Sequence, residues 1–202
     1  MSKVTFIGDL HGKYRRYHEI IREKKRHPYT VQLGDFGFDY STLDNVDSSK
    51  HKVLGGNHDN YDKIGSIPHY LGDFGVQSLN GLEFFFYRGA YSIDKSYRTI
   101  GLDWWSQEEL KIERFFEARE LYRKTLPSVV ISHDCPPICV PSLLDPGSHI
   151  FENITGYCLG ELFNIHQPDY WIFGHYHKDK VMNFDGVKTT FVCVAECSTY
   201  KL

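Results

Sequence analysis

The 202-residue sequence has no excess of either charge: 23 Lys and Arg stand against 26 Asp and Glu, a net charge of −3 with histidine neutral. That balance excludes a global polycation that would hold nucleic acid by charge alone, so phosphate binding has to come from local charge or from metals. Long apolar runs are missing too. None would serve as a signal peptide or span a membrane, and Met1-Ser2-Lys3 passes directly into a strand-like run, so the expectation is a cytoplasmic protein with no membrane association. Cysteine is sparse and odd in number (135, 139, 158, 193 and 197), which argues against a disulfide framework and for reduced, mostly buried thiols. The pairs Cys135/Cys139 and Cys193/Cys197 have the wrong spacing for the common zinc fingers. Repeats, low-complexity tracts and linkers are absent as well, and the length suits one domain over residues 1–202.

What is present is a 41% hydrophobic fraction, rich in Tyr and Phe, and 11 histidines. The hydrophobic pattern predicts short strands at residues 4–7, 29–33, 53–54, 128–131 and 170–173, most of them followed by a glycine or a small polar residue. A helix is expected over about 13–25, where Tyr14, Tyr17, Ile20 and Ile21 share one face. Asn80-Gly81 between 76–79 and 82–87 signals a type I′ hairpin, and Asp185-Gly186 between 181–184 and 187–194 a second one. A further helix is expected from Ser106, with Ser106 and Glu109 as a capping box, and a short one over 158–165. Residues 39–50 read as loop, with a short helix as the alternative. Strand–helix units followed by hairpins and interspersed helices predict an α/β fold of two packed mixed sheets flanked by helices.

Five loops each follow an apolar strand, and ligand sites in open α/β sheets gather beyond the carboxyl ends of strands. They are Gly8-Asp9-Leu10-His11-Gly12, Gly34-Asp35-Phe36-Gly37, Gly56-Asn57-His58-Asp59, Ser132-His133-Asp134 and Gly174-His175-Tyr176-His177. Asp9 and His11 lie two apart, so an extended chain points both to one side and Leu10 to the core. Asn57 and His58 are adjacent, so their side chains point to opposite sides and have different tasks. Taken singly, each motif has an ordinary reading as a turn, a helix cap or a satisfied core group. Together, seven desolvated polar groups are costly to bury unpaired, and metals make such a cluster tolerable. Oxygen and imidazole donors without thiolate suit Mn²⁺, Fe, Zn²⁺ or Ni²⁺ and exclude few of them.

This ordered motif set, from Asp9 to His177, resembles the calcineurin-like metallophosphoesterase family, and its small phage and bacterial members above all. The resemblance implies a four-layer α/β/β/α fold. It implies one metal held by Asp9, His11, Asp35 and His177 and a second held by Asp35, Asn57, His133 and His175, with Asp35 shared. It implies a phosphoesterase in which a metal-bridging hydroxide attacks phosphorus. His58, left free of metal, is the expected general acid for the leaving oxygen, and Asp59 either orients His58 or caps a helix.

The second motif lacks the family's Gly-Asp-x-x-Asp spacing: Phe38 stands where a carboxylate is expected, and Asp39 comes one place late and reads as structural. The Arg-Gly element and the Gly-Asn-His-Glu of the protein Ser/Thr phosphatases are absent as well, which weakens a phosphoprotein substrate. The expected substrate is a small-molecule or nucleic-acid phosphate ester, with a nucleotide or nucleic-acid phosphodiester ahead of a phosphomonoester, and no obligate protein partner is evident. A non-catalytic scaffold of the same fold would have lost ligands or His58, and all eight residues are retained. Outside the motifs, Trp104 and Trp105 read as packing, Arg88 and Arg98 as surface charge, and Lys13, Arg15, Arg16, Arg22, Lys24, Lys25 and Arg26 as a solvated helix face.

Overall fold

The computed structural model describes residues 4–23 and 28–202. Its first sheet contains β1 (Thr5–Ile7), β2 (Thr30–Gln32), β3 (His51–Val53) and β10 (Thr199–Lys201), in the order β10-β1-β2-β3. β1, β2 and β3 run parallel, and β10 closes the edge antiparallel to β1. The second sheet contains β4 (Phe74–Leu79), β5 (Leu82–Tyr87), β6 (Val129–Ser132), β7 (Tyr170–Phe173), β8 (Lys180–Met182) and β9 (Thr190–Cys193), in the order β4-β5-β6-β7-β9-β8. Its centre, β5-β6-β7-β9, is parallel, and both edges are antiparallel hairpin strands.

Strict alternation along each strand builds the layers, since successive side chains face opposite sides of a sheet. Phe6, Val31 and Leu54 meet Phe84, Phe86, Ile131, Ile172 and Val192 between the two sheets. The intervening residues Phe85, Tyr87, Val130, Trp171, Phe173 and Phe191 face outward, under helices α2 (Ile112–Thr125) and α4 (Ile154–Ile165), with the one-turn α3 (Val140–Leu143) between these two in the chain. On the far side, Ile7 and Val53 pack under α1 (Tyr14–Glu23) through Tyr17 and Ile20. The order of layers is therefore α/β/β/α. No helix among the described residues is long and apolar enough to cross a membrane.

Most local signals correspond to elements. Asn80 and Gly81 both adopt positive φ (51° and 78°), as the type I′ turn requires. The expected end of the first helix, Lys24 and Lys25, lies outside the described residues, as does Arg26. The capping box is corrected: Ser106–Glu108 is a single 3-10 turn, α2 begins at Ile112, and Ser106 makes no cap bond. Glu109 instead accepts a bond from the Thr155 amide at the start of α4, a tertiary partner that local spacing does not reveal. The short helix expected over 158–165 starts at Ile154, because Asn153 caps it by accepting from the Gly156 amide. The edge strand β10 carries no recognised sequence signal.

Candidate metal centre

The five motif loops leave the carboxyl ends of β1, β2 and β3 in one sheet and β6 and β7 in the other, and they meet at one end of the sandwich. Local backbone geometry is unusual there. His11, Asp35, His175 and His177 have φ of 46°, 57°, 65° and 53°. A non-glycine residue in this left-handed region is strained by roughly 1–3 kcal/mol, a cost that clusters at functional sites. Asp9 and His11 thus share a side through a tight turn whose amides at Leu10 and His11 donate to the Asp35 carbonyl, not through the extended chain expected from their spacing. Leu10 does enter the core. Close approach also restricts two neighbours: a Cβ at Gly56 would collide with the Asp35 carboxylate, and one at Gly174 with that of Asp9.

Asp9, Asp35 and His133 are buried, whereas His177 is half exposed at the mouth. The Asp9 carboxylate accepts from the His175 amide at 3.1 Å and meets His177 Nε2 at 3.1 Å. His11 Nε2 lies 2.9 Å from His177 Nε2. Asp35 meets His133 Nε2 at 3.2 Å and accepts from the His58 amide at 2.7 Å. Asn57 donates to Ser92 Oγ, which turns its Oδ1 toward His133 Nε2 at 3.1 Å. The donor atoms of Asp9, His11 and His177 all lie within 4.8 Å of one another, and so do those of Asp35, His133 and His175, and of His11, Asp35 and His58.

This donor set fits divalent cations. His133 Nδ1 donates to the Leu33 carbonyl at 2.8 Å, which fixes that nitrogen as the N–H and leaves Nε2 aimed into the centre, as in ligating histidines. Two ring nitrogens at 2.9 Å, His11 and His177, face each other where a shared cation belongs. In the absence of metal the charge balance falls on His133: burial opposes its protonation, but Asp35 and Asp9 overrule that and raise its pKa to about 10. Burial likewise pushes the Asp35 carboxyl up, and the His133 charge and hydrogen bond, with His58 and His11, hold it well below the usual carboxylate range. A cation would take over the role of that proton.

His58 lies edge-on to His11, with ring centroids 4.9 Å apart. Arg98 lies against it, with Nη1 2.9 Å from Nδ1 and Nη2 2.6 Å from Nε2, and is anchored by Asp94 at 2.7 Å. Burial depresses the His58 pKa to about 4, with Arg98 and His11 adding to the effect and Asp35 opposing it. Asp59 is corrected as an orienting partner. Its carboxylate accepts from the amides of Asp35 (2.9 Å), Gly56 (2.8 Å) and Gly37 (3.2 Å) and from the Tyr40 hydroxyl (3.0 Å), so it ties the second and third loops together rather than touching the imidazole. Burial and the Asp35 charge raise its pKa to about 7 against those donors.

Arg98 is the residue that sequence reading undervalued, since a lone arginine after a polar run carries no signal of where it folds. Arg88 is a correction of the opposite kind: it is 6% exposed, paired with Asp73 at 2.7 Å and laid over the Tyr61 ring, and it supports the structure beside Gly55. Trp105 packs on Phe38 and donates to Asp62, and Asp39 accepts from the Ser41 amide in a surface turn. In α1, Arg15 and Arg16 pair with Glu19 on a solvated face. All five cysteines are free, four of them buried.

Solved structures share this architecture at low identity. The anchor in the inner membrane complex of Plasmodium matches at 12% identity, with 97% of this chain and 72% of that one covered and a TM-score of 0.53. A candidate 5′-nucleotidase from Staphylococcus aureus matches at 14% identity over 99% of this chain and 50% of that one, with a TM-score of 0.53, so this chain spans about half of it. The phosphopantetheinyl hydrolase of Mycobacterium tuberculosis matches at 12% identity over 96% and 90%, with a TM-score of 0.50. At such identities these likenesses speak to the fold alone. No curated protein sequence matches the chain. The family profile of calcineurin-like phosphoesterases matches residues 2–179, the span that carries all five loops, and on that match the chain belongs to the calcineurin-like phosphoesterase family.

Proposed function

We propose that this protein is a metal-dependent hydrolase of phosphate esters that uses two divalent cations, with Mn²⁺ the first choice, and that its substrate is a phosphodiester. The observation that carries this reading is the buried carboxylate Asp35. It lies between two donor groups, Asp9/His11/His177 on one side and Asn57/His133/His175 on the other, so one residue would serve both ions. Cations held there supply Lewis acidity and lower the pKa of bound water.

The remaining steps belong to the chain's own groups. Arg98 gives the phosphoryl oxygens a forked guanidinium donor. It is the one Lys or Arg among the described residues lining the cleft, and a monoanionic diester needs less neutralisation than a dianionic monoester. His58 faces the same space and hands a proton to the leaving oxygen. Burial first and Arg98 second keep its ring neutral in the free protein, and an anionic phosphate that engages the guanidinium offsets the Arg98 charge and raises the ring's affinity for a proton. His11, edge-on to His58, keeps that ring in place.

The test is one assay with bis-(p-nitrophenyl) phosphate and p-nitrophenyl phosphate after metal removal and after reloading with Mn²⁺, Ni²⁺ or Zn²⁺. Activity should vanish on chelation, return with metal and favour the diester. His58→Asn should lower kcat by about 10²–10⁴, the contribution of general acid catalysis, while metal content stays at the wild-type value. A reloaded protein inert toward both esters would refute the reading.

A further inference from the structure

The metal centre opens into a cleft of about 1520 Å³ whose walls are strongly apolar. One rim is the loop around Ile93, which is 68% exposed. The other is the segment leading into α4 together with the first turn of that helix, where Ile150, Phe151, Ile154 and Tyr157 are 46–59% exposed. Ile112, at the first turn of α2, adds to the same lining. Soluble proteins rarely leave this much contiguous apolar surface uncovered unless it receives something. The charges here are unsuited to a polynucleotide, which is held through several Lys or Arg contacts to successive phosphates. Arg98 is the single such residue among the described lining residues, and Asp94, Asp134 and Glu152 oppose it. A nucleobase would ask for hydrogen-bonding edges, whereas most of the lining is apolar, aliphatic and aromatic side chains together.

Resting on the phosphodiesterase reading above, we infer that the substrate is an amphiphilic phosphodiester, its phosphate at the metal ligands and Arg98 and an alkyl or isoprenoid chain along this groove. The two halves of the site are continuous, since His11, His58, His175 and His177 line the same cleft as Ile150 and Ile154. Polar chemistry at one end and apolar walls at the other match a ligand with one anionic group and one long apolar substituent.

The probes are p-nitrophenyl alkyl phosphates with methyl, hexyl and decyl chains, kept below their micellar concentrations. Hydrolysis adds water across the P–O bond to p-nitrophenol and leaves the alkyl phosphate. With Mn²⁺-loaded protein, kcat/KM should rise about twofold per methylene, which is half of full burial, and so about thirtyfold from methyl to hexyl. Ile150→Asp/Ile154→Asp, at two groove positions, should flatten that slope and bring the hexyl-to-methyl ratio of kcat/KM close to one. Val181→Asp, an exposed apolar position outside the groove, should alter neither. Calorimetric binding of methyl, hexyl and decyl phosphate reads the groove independently of turnover. Affinity that does not depend on chain length overturns the inference whether or not the methyl ester is cleaved, and failure to cleave the methyl ester counts against the hydrolase reading alone. Sedimentation as a dimer that Ile150→Asp/Ile154→Asp dissolves, with no chain-length dependence, would assign the groove to a second copy and overturn the inference too.

Discussion

Asp59→Ala separates a structural from a catalytic carboxylate. The side chain accepts four hydrogen bonds: three from backbone amides, of Asp35, Gly37 and Gly56, and one from the Tyr40 hydroxyl. Removing it leaves those four buried donors without this acceptor. At about 1 kcal/mol for each, the loss is about 4 kcal/mol, a large share of the 5–15 kcal/mol that holds an ordinary domain together. With a urea slope of about 2–3 kcal/mol/M, the unfolding midpoint of metal-free protein should fall by about 1.5 M. Because the same amides position Asp35, metal affinity should weaken in parallel, and excess Mn²⁺ should recover part of the stability by mass action. Urea titrations followed by circular dichroism, with chelator and with Mn²⁺, measure both effects. An Asp59→Ala protein with wild-type stability and metal affinity but a collapsed kcat would refute this reasoning and return Asp59 to the role of orienting His58.

Three further outcomes follow from the same contacts. Arg98→Ala should lower kcat/KM for the diester by about 10–100-fold, the worth of one charge-assisted bond to the phosphate, while bound metal is unchanged; wild-type kinetics would remove Arg98 from the site. Gly56→Ala should displace the Asp35 carboxylate and cut metal affinity by about tenfold or more, read by chelator competition, and an unaffected variant would show that the loop yields freely. His51 is 8% exposed in β3 with Nδ1 2.9 Å from Thr30 Oγ1, and burial lowers its pKa below 6.5. The unfolded chain therefore takes up this proton first, so His51 reduces stability as pH falls below 6.5 and stops doing so once the folded ring is also protonated. His51→Gln should flatten the wild-type stability slope just below pH 6.5, and equal slopes would show that His51 titrates normally in the fold.

Legibility differed by the range of the interaction involved. The Asn80-Gly81 hairpin and the β7 strand are local patterns of backbone geometry and hydrophobicity, and they appear as expected. The capping box at Ser106 failed because Glu109 has a partner 46 residues away in the chain. Asp59 is a similar case: its sequence position beside His58 suggested an orienting bond, yet burial among orphan amides of two loops decided its contacts. The short edge strand β10 is paired to β1 through tertiary contact and has no hydrophobic run of its own.

By itself the sequence determined the residue types of the centre, oxygen and imidazole donors without thiolate, and their placement after apolar strands, because both are written in adjacent residues. Only the tertiary structure decided that loops from two different sheets meet at one end, that Arg98 lies on His58 while Arg88 is buried elsewhere, and that an apolar groove continues from the candidate metal ligands. Those facts depend on which distant side chains share a dielectric environment, and chain order does not encode that distance.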